Sequence, residues 1–257
     1  MTAPTLPSEE VVLIPTDFPS TAHLDGVVER YKGIRLHGLL ADPQSFTTKY
    51  EDEASLPYDT WRSRIQNPAG KTFVSVVEAE TPSQDEHAVT ASTEPDVSTD
   101  ALKQLLGKEW VGIVTLLGPG PFSPQIVDGR PVPTQPWDVF IKEKKYQIPL
   151  VSETRDLRGT HLVYLVVGVF VSPRVRRKGH GRRLLEAAIQ AVRTEAKALA
   201  ASHATITVQV APGNDKAQRM YESVGFEVGD SAMPILGRRG EESLVVSLAM
   251  DVDLNRP

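Results

Sequence analysis

The chain has 257 residues, of which 28 are basic and 33 acidic, so its formal net charge is −5. This length suits one large domain or two small ones, and the acidic balance argues against general binding to nucleic acid or to a membrane surface. Cysteine is absent, which excludes disulfides, thiolate metal ligands and a cysteine nucleophile, and which favours a reducing compartment.

The first ten residues have neither a basic start nor an apolar core, so they do not read as a secretory signal. The longest apolar run covers residues 162–171, and a membrane-spanning helix needs about 20 residues. We therefore expect a soluble protein of the cytoplasm, with the nucleus as an alternative and no membrane contact.

Segments rich in β-branched and apolar residues predict three strands in the first half of the chain. They cover residues 11–14, 72–80 and 110–117. Apolar residues recur at near-helical spacing over residues 23–41, and a second helical stretch surrounds Trp61 over residues 56–66. These patterns predict strands and helices that share one α/β body.

Two segments interrupt this pattern. Residues 81–100 are rich in Asp, Glu, Ser, Thr and Pro, which predicts a mobile loop. Residues 118–160 are rich in Pro and Gly but also contain four aromatic residues, Phe122, Trp137, Phe140 and Tyr146. Because mobile loops rarely carry so many aromatic side chains, we expect this second insertion to pack on the body.

The second half of the chain predicts a strand, a long helix, and then a strand–helix–strand unit. Residues 162–171 are apolar on both faces, which is typical of a central strand. Apolar residues between Leu184 and Leu199 mark one face of a helix about 20 residues long. Residues 205–210 predict a strand, 215–224 a helix and 243–250 a closing strand.

The turn between the central strand and the long helix has the most specific pattern in the chain. It contains six Lys or Arg residues between Arg174 and Arg183, together with Gly179 and Gly181. The order strand, glycine turn, helix places backbone N–H groups, the positive end of a helix and fixed cations around one point. The turn therefore predicts a site for a phosphorylated ligand, the alternative being a solvated basic loop.

From Arg176 to Gly181 the sequence reads R-x-x-G-x-G, which resembles the acyl-CoA pyrophosphate loop of the GNAT superfamily of N-acetyltransferases. A second segment resembles the closing helix of that family through Asn214, Ala217, Tyr221, Gly225 and Phe226. The specific resemblance covers residues 161–229. A weaker one covers residues 11–80, where the family's first helix and loop are matched by Arg35, Leu36, Leu39, Pro43 and Phe46.

The resemblance implies one GNAT-like domain over residues 1–257, with a mixed, mostly antiparallel sheet flanked by helices. Acetyl-CoA would lie between two splayed central strands, those that end near Val171 and Val210. The implied reaction is direct transfer of the acetyl group to an amine, since there is no cysteine and no serine accompanied by a base.

The resemblance also implies roles for individual residues. The backbones of Val169 and Val171 would hold the pantetheine arm, and the Val169 N–H would meet the developing oxyanion. The pyrophosphate would be held by Arg176, Arg177, Lys178, Gly179, Gly181 and Arg182. For His180, phosphate contact and solvent exposure are both open.

Two residues of the closing helix have alternative roles. Asn214 would contact CoA or would only cap the helix. Tyr221 would donate a hydrogen bond to the departing CoA thiolate or would be a plain core residue.

The base and the acceptor stay open at this stage. His161, Glu78 and Glu80 are candidate bases, although each is better explained as an ordinary edge residue. The six histidines lack metal-ligand spacing, so we expect no metal. We expect a small-molecule amine as acceptor; the alternatives are a protein or peptide amine, or a non-catalytic acyl-CoA-binding module.

Overall fold

A computed structural model describes residues 10–78, 97–122, 125–127, 130–132, 156–236 and 242–255, and all structural statements refer to these ranges. The strands are β1 Glu10–Leu13, β2 Gly70–Val77, β3 Glu109–Phe122, β4 Gln125–Val127, β5 Arg130–Val132, β6 His161–Val171, β7 His203–Val210, β8 Glu227–Leu236 and β9 Glu242–Asp251. The helices are α1 Thr21–Ala41, α2 Tyr50–Ala54, α3 Tyr58–Ile65, α4 Val97–Gly107, α5 His180–Ala198 and α6 Asp215–Glu222.

Seven strands form one sheet in the order β1-β2-β3-β6-β7-β9-β8, and β4 pairs with β5 in a separate ribbon. Within the described strands of the sheet, β6 and β7 are parallel and every other neighbouring pair is antiparallel. A parallel pair requires a crossover, and α5 supplies it. The predicted fold class, a mixed and mostly antiparallel sheet flanked by helices, is confirmed.

The parallel pair at the centre of the sheet is only partly joined. Its register runs from His161 opposite His203 to Val166 opposite Val208 and then stops, although both strands continue. On its other side β6 stays paired with β3 through a bulge, in which three steps along β6 match two along β3 between Val167 and Phe170. A bulge bends the strand that carries the extra residue. The predicted splay of the two strands is thus present.

The sheet has helices on both faces. One face packs against α5, whose buried side chains are Leu184, Leu185, Ala188, Ile189, Val192 and Ala196. The other face packs against α1 and α3, through Val27, Val28, Ile34, Trp61 and Ile65. Neighbouring residues of β2 show the alternation, since Phe73 belongs to the first core and Val74 to the second. The central strands are therefore apolar on both faces, as their sequences predict.

Three elements differ from the sequence-based expectation. Helix α4 begins inside the segment predicted as a mobile loop, and it is anchored by Leu102 and Leu105, which are buried against β1 and α1. Strand β3 continues to Phe122, five residues beyond its predicted end, and strand β8 has no counterpart in the prediction. The Pro residues of β3 mimic a loop composition, although residues 120–122 pair with β6 after a register shift that follows Leu117.

Several predictions lie outside the described residues. They concern Glu80, most of 81–100 and most of 118–160, including Trp137, Phe140 and Tyr146. The assignment of the whole chain to one domain also stays a prediction. Over the described ranges, none of the helices is long and apolar enough to cross a membrane.

Candidate functional site

A cleft of about 310 Å³ opens where β6 and β7 part. Its two walls include residues 166–169 of β6 and residues 208–211 at the end of β7. Helix α6 contributes one side of the cleft, and the segment from α1 to α3 contributes the other. The cleft thus runs through the gap in the sheet and reaches both of its faces.

The bulge leaves part of β6 without a neighbour. Gly168 and Val169 have no register partner in β3 or in β7. Gly168 has φ +65°, a left-handed conformation that glycine adopts without steric strain. Backbone groups at this point can therefore face a ligand in the cleft instead of another strand. Val169, predicted to offer its N–H to an oxyanion, lies at this position and lines the cleft.

The basic turn follows directly from the end of β6. A short 3₁₀ turn at Pro173–Val175 leads to Arg177, which has φ +65°, and to Gly179, which has φ +87°. Helix α5 begins at His180, and the Arg183 N–H already donates to the Gly179 carbonyl at 3.0 Å. The amides of residues 180–182 precede that first bond, so they are the donors that a helix start leaves for an external acceptor.

The cations of this turn fall into two groups. Arg177 and Lys178 are exposed, and in the described part of the chain neither forms an ion pair. Arg182 is exposed but pairs with Glu186 at 2.8 Å. A non-glycine residue with positive φ costs on the order of 1–3 kcal/mol and is held there by its surroundings. The left-handed Arg177 keeps its side chain on the outer surface of the turn.

Arg176 has partners within the protein, and its contact with a pyrophosphate stays a prediction. Its Nε donates to the Val171 carbonyl at 2.9 Å, and its guanidinium contacts the Asp42 carboxylate at the end of α1 and lies 5.9 Å from the centre of the Phe170 ring. The side chain that was expected to hold a pyrophosphate is thus engaged in joining α1 to β6. The same contact occupies the Val171 carbonyl, which was expected to bind a pantetheine arm.

His180 is not exposed to solvent, so that predicted alternative is wrong, and phosphate contact stays a prediction. Its side chain is 1% exposed, and its Nδ1 lies 2.7 Å from the Ser75 hydroxyl of β2. The reason is helical spacing: residue 180 shares a face with Leu184 and Ala188, which form the buried stripe of α5. A phosphate on the turn can therefore meet the backbone N–H of His180 but not its imidazole.

Gly179 and Gly181 are each required by the structure of the turn, for different reasons. At Gly179 the backbone conformation itself favours glycine, and an added Cβ would lie 2.9 Å from Nη1 of Arg183. At Gly181 an added Cβ would lie 2.5 Å from the sulfur of Met220, so this glycine allows α6 to approach α5. Neither reason involves a ligand, and both are compatible with one.

Helix α6 presents two of the predicted residues to the cleft. The Asn214 Oδ1 accepts from the Ala217 N–H at 3.2 Å, and its Nδ2 donates to the Ser45 hydroxyl at 3.0 Å. Tyr221 is 5% exposed and its ring meets that of Phe226 edge-on at 5.6 Å, yet it also lines the cleft. Burial raises the pKa of Tyr221, so its hydroxyl is protonated at neutral pH and is available as a donor.

Sequence reasoning missed the charged cluster at the far end of the cleft. Glu53 of α2 is 1% exposed and accepts from Arg35 Nε and Nη2 at 3.0 and 2.9 Å, and from Arg64 Nη1 at 3.0 Å. Burial alone would raise the pKa of Glu53, but the hydrogen bonds and charges of the two arginines outweigh it and lower that pKa to about 2. Glu53 has no distinguishing sequence signal, because it follows two other acidic residues in an unremarkable short helix.

The candidate bases do not meet in the cleft. The His161 Nε2 lies 2.7 Å from the Thr205 hydroxyl, which donates to Asp251, at the joined end of β6 and β7, and burial lowers the pKa of His161. Glu78 is exposed and pairs with Lys108 at 3.2 Å, while Glu80 lies outside the described residues. Throughout the described ranges, no group of three His, Cys, Asp or Glu residues could hold a metal ion.

Comparison with known proteins points to one family. Residues 151–226 match the protein-family model described as Acetyltransferase (GNAT) family. No curated protein matches the chain.

Three solved structures illustrate the similarity in shape. Arabidopsis thaliana NAA60 in complex with a bisubstrate analogue has 11% identity and a TM-score of 0.48, over 95% of this chain and 100% of its own. A spermidine N-acetyltransferase from Vibrio cholerae in complex with CoA and spermine has 15% identity and a TM-score of 0.46, over 94% and 95% of the two chains. The putative acetyltransferase yncA from Salmonella typhimurium, with its cofactor acetyl-CoA, has 16% identity and a TM-score of 0.44, over 97% of each chain.

The Glu53 cluster makes the free energy of unfolding depend on pH, and one substitution can isolate this contribution. The folded-state pKa of Glu53 is about 2 against an ordinary 4.5, so its contribution is complete above about pH 5 and is lost as the pH falls towards 2. The shift corresponds to about 3 kcal/mol. We expect Glu53→Gln to remove this part of the pH dependence of the unfolding free energy, measured by urea denaturation between pH 3 and 7.

The control for this measurement is Glu51→Gln, which removes an exposed carboxylate from the same helix. It should keep the pH profile of the wild type. An unchanged acid slope in Glu53→Gln would show that the two arginines do not hold the carboxylate ionised.

Proposed function

Since the chain belongs to the GNAT superfamily of acetyltransferases through residues 151–226, we propose that it transfers an acetyl group from acetyl-CoA to a small-molecule amine by direct attack. The observation that carries the proposal is the continuity of the gap between β6 and β7 with the glycine turn that starts α5. One extended ligand can occupy both, with its phosphates at the turn and its thioester in the cleft. The absence of cysteine supports a cytoplasmic location for this reaction.

The pyrophosphate is bound by the start of α5. The amides of residues 180–182 and the positive end of the helix supply oriented donors. Arg177 and Lys178 supply exposed cations, and Arg182 supplies a third that exchanges Glu186 for phosphate. Gly179 keeps the approach to these amides free of a side chain. Asn214 positions α6 through its cap and its bond to Ser45.

The thioester lies beside the bulge of β6. There the Val169 backbone N–H stabilises the negative charge that develops on the carbonyl oxygen, as a fixed dipole that needs no reorganisation. The attacking nitrogen forms a bond to the carbonyl carbon, the C–S bond then breaks, and CoA leaves as its thiolate. Tyr221 donates a hydrogen bond to the sulfur. Because burial raises the pKa of Tyr221, full proton transfer from it is unfavourable, and hydrogen-bond donation is the role we assign to it.

The amine must lose its proton before it attacks. Among the described residues, Glu53 is the carboxylate that lines the cleft, and with a pKa of about 2 it is far too weak a base to deprotonate an ammonium group. The proton therefore leaves through water. An acceptor with a less basic amine is correspondingly easier to acetylate at neutral pH.

A non-catalytic acyl-CoA-binding module is the second candidate, and the observation that favours it is that the described residues of the cleft include no suitable base. The position of Tyr221 on the cleft wall argues for the enzyme instead. Release of CoA from acetyl-CoA in the presence of a panel of aliphatic, aromatic and amino-acid amines separates the two. Tight CoA binding with no turnover of any amine would favour the module.

The charge of the turn can be tested by a double substitution. Replacing Arg177 and Lys178 by Glu should raise the Kd for acetyl-CoA about 10- to 100-fold at low salt, because two attractive contacts with phosphate become repulsive. Calorimetric titration at two salt concentrations measures the effect. The matched control is Arg62→Glu with Lys103→Glu, two exposed cations of α3 and α4. Equal affinity of the two double variants for acetyl-CoA would show that the turn is not part of the acetyl-CoA site.

The variant Gly179→Asn tests whether Gly179 is needed for its left-handed backbone or for the space that it leaves for the phosphates. Asn tolerates the left-handed conformation of residue 179 better than other side chains do, so the fold should be nearly as stable as before. Its side chain would still obstruct the phosphates, and affinity for CoA should fall at least about 10-fold by loss of the charge-assisted contacts. Thermal unfolding and calorimetry give the two readouts. Full CoA affinity in this variant would mean that the glycine serves only the turn.

Tyr221→Phe removes the hydroxyl and keeps the ring against Phe226. If the hydroxyl assists departure of the thiolate, kcat should fall about 10- to 100-fold while the affinity for CoA barely changes. Tyr58→Phe is the control, since it removes an exposed hydroxyl of α3 that contacts Asp25. A Tyr221→Phe variant with wild-type kcat would return Tyr221 to a purely structural role.

A further inference from the structure

Arg35 has a guanidinium nitrogen without a partner inside the cleft. Its Nε and Nη2 form a fork with the Glu53 carboxylate. Its Nη1 is buried and has no hydrogen-bond partner in the part of the chain that the structure describes. Burying a charged donor without an acceptor costs free energy, so folded proteins rarely contain such a group unless it has a function. This nitrogen is therefore placed to receive an acceptor from a ligand.

The free nitrogen faces the bulge of β6. A Cβ added at Gly168 would lie 3.8 Å from Nη1 of Arg35, and no other atom of a non-neighbouring residue would lie within 4 Å. Gly168 directly precedes Val169, beside which we place the thioester. A ligand group bound to this nitrogen is thus held next to the reacting carbonyl. The fork to Glu53 and the packing of the guanidinium 4.8 Å from the Phe46 ring centre fix the direction of Nη1.

The charge at this end of the cleft is positive. Arg35 and Arg64 share one carboxylate, that of Glu53, and all three line the cleft, which leaves a net charge of +1 for the cluster. The Glu53 carboxylate already accepts three hydrogen bonds from the two arginines, and the described lining residues offer an incoming ammonium group no other anion. Electrostatics there favours an anionic group on the ligand and disfavours a polyamine.

Part of the cleft lining is apolar. Its side chains come from β3, β6, β8 and β9 and include Leu117, Leu165, Val167, Ile235 and Val245. An acceptor that fits both parts has one anionic group for the arginine and an apolar body for the wall. Its amine must lie close to the anion, because the arginine and the thioester are adjacent.

We propose that the acceptor is an amino acid with an apolar side chain, whose carboxylate binds Nη1 of Arg35. This inference rests on the proposed acetyl transfer. One carbon separates the amine from the carboxylate in such a molecule, so binding of the carboxylate places the amine at the carbonyl carbon of the thioester. The nitrogen forms the new C–N bond, the C–S bond breaks, the amine proton passes to water, and the carboxylate is unchanged. The products are an N-acetyl amino acid and CoA.

Three matched probes test the inference: L-phenylalanine, L-phenylalaninamide and 2-phenylethylamine. They share the amine and the apolar body and differ in having a carboxylate, a neutral amide or neither. Calorimetric binding to the protein saturated with CoA should show at least about 10-fold higher affinity for phenylalanine than for either analogue, as expected for a charge-assisted contact in a dry site. Equal affinity for the three probes, or no binding of phenylalanine, leucine and methionine, overturns the inference.

Arg35→Lys keeps the charge and removes the guanidinium group with its Nη1, so the affinity for phenylalanine should come within about threefold of the affinity for the two analogues. Arg62→Lys is the matched control, because Arg62 is an exposed arginine of α3 that contacts Gln66. Thermal unfolding checks both variants. If Arg35→Lys does not fold, the comparison of the three probes on the wild-type protein is decisive by itself.

The same probes, assayed for CoA release, separate failure of the inference from failure of the proposed function. Acetylation of all three with equal kcat/KM would leave the acetyltransferase standing and overturn the amino-acid specificity. Preferential binding of phenylalanine without turnover of any amine would support the carboxylate site and contradict the enzyme. A preference for phenylalanine cannot come from amine ionisation, since the amide has the less basic amine.

Discussion

The parting of β6 from β7 after Val166 and Val208 is the constraint on which the rest of the site depends. While the two strands are paired, their backbone groups satisfy each other and no ligand can enter the sheet. From the bulge at Gly168, β6 is no longer paired with β7 and rejoins β3 only at Phe170, so the backbone between needs another partner. The cleft, the exposed amide positions and the direction in which the chain enters the basic turn all follow from this one irregularity.

The two ends of the cleft use charge in different ways. At the turn, Arg177 and Lys178 are in solvent, so their attraction for phosphate is long-ranged, weak and sensitive to salt. At the other end, Arg35 and Arg64 are largely buried around Glu53, where charges are poorly screened and their orientation is fixed. The first arrangement suits a large cosubstrate that must enter and leave. The second suits discrimination between small molecules, because a buried donor penalises any ligand that leaves it unpaired.

The sequence contains the local parts of this site and lacks the distant ones. The glycine turn, the start of α5, the cap at Asn214 and the position of Tyr221 depend on residues close together in the chain, and the family pattern of residues 151–226 covers all of them. The burial of His180 could also be predicted from the sequence, because His180 lies four residues before Leu184 on the same face of the helix. By contrast, the bond between Arg176 and Asp42 joins positions 134 apart, and nothing local identifies either partner.

Helix α4 and the Glu53 cluster escaped prediction for related physical reasons. Residues 101–106 have apolar side chains at helical spacing, but they follow a long polar segment. The composition of that segment predicts a loop and hides the start of the helix. Glu53 becomes special only because α1 and α3 fold against α2 and bring two arginines to it. The pKa of a carboxylate depends on the groups around it, and here those groups come together only in the tertiary structure.

A crystal structure of the protein with acetyl-CoA is the measurement that tests the account most directly. We expect the pyrophosphate on the amides of residues 180–182 and the pantetheine arm in the gap between β6 and β7. We expect the thioester oxygen within hydrogen-bond distance of the Val169 nitrogen and the sulfur beside the Tyr221 hydroxyl. Acetyl-CoA bound away from the gap, or with its thioester outside the cleft that Arg35 and Tyr221 line, would contradict it.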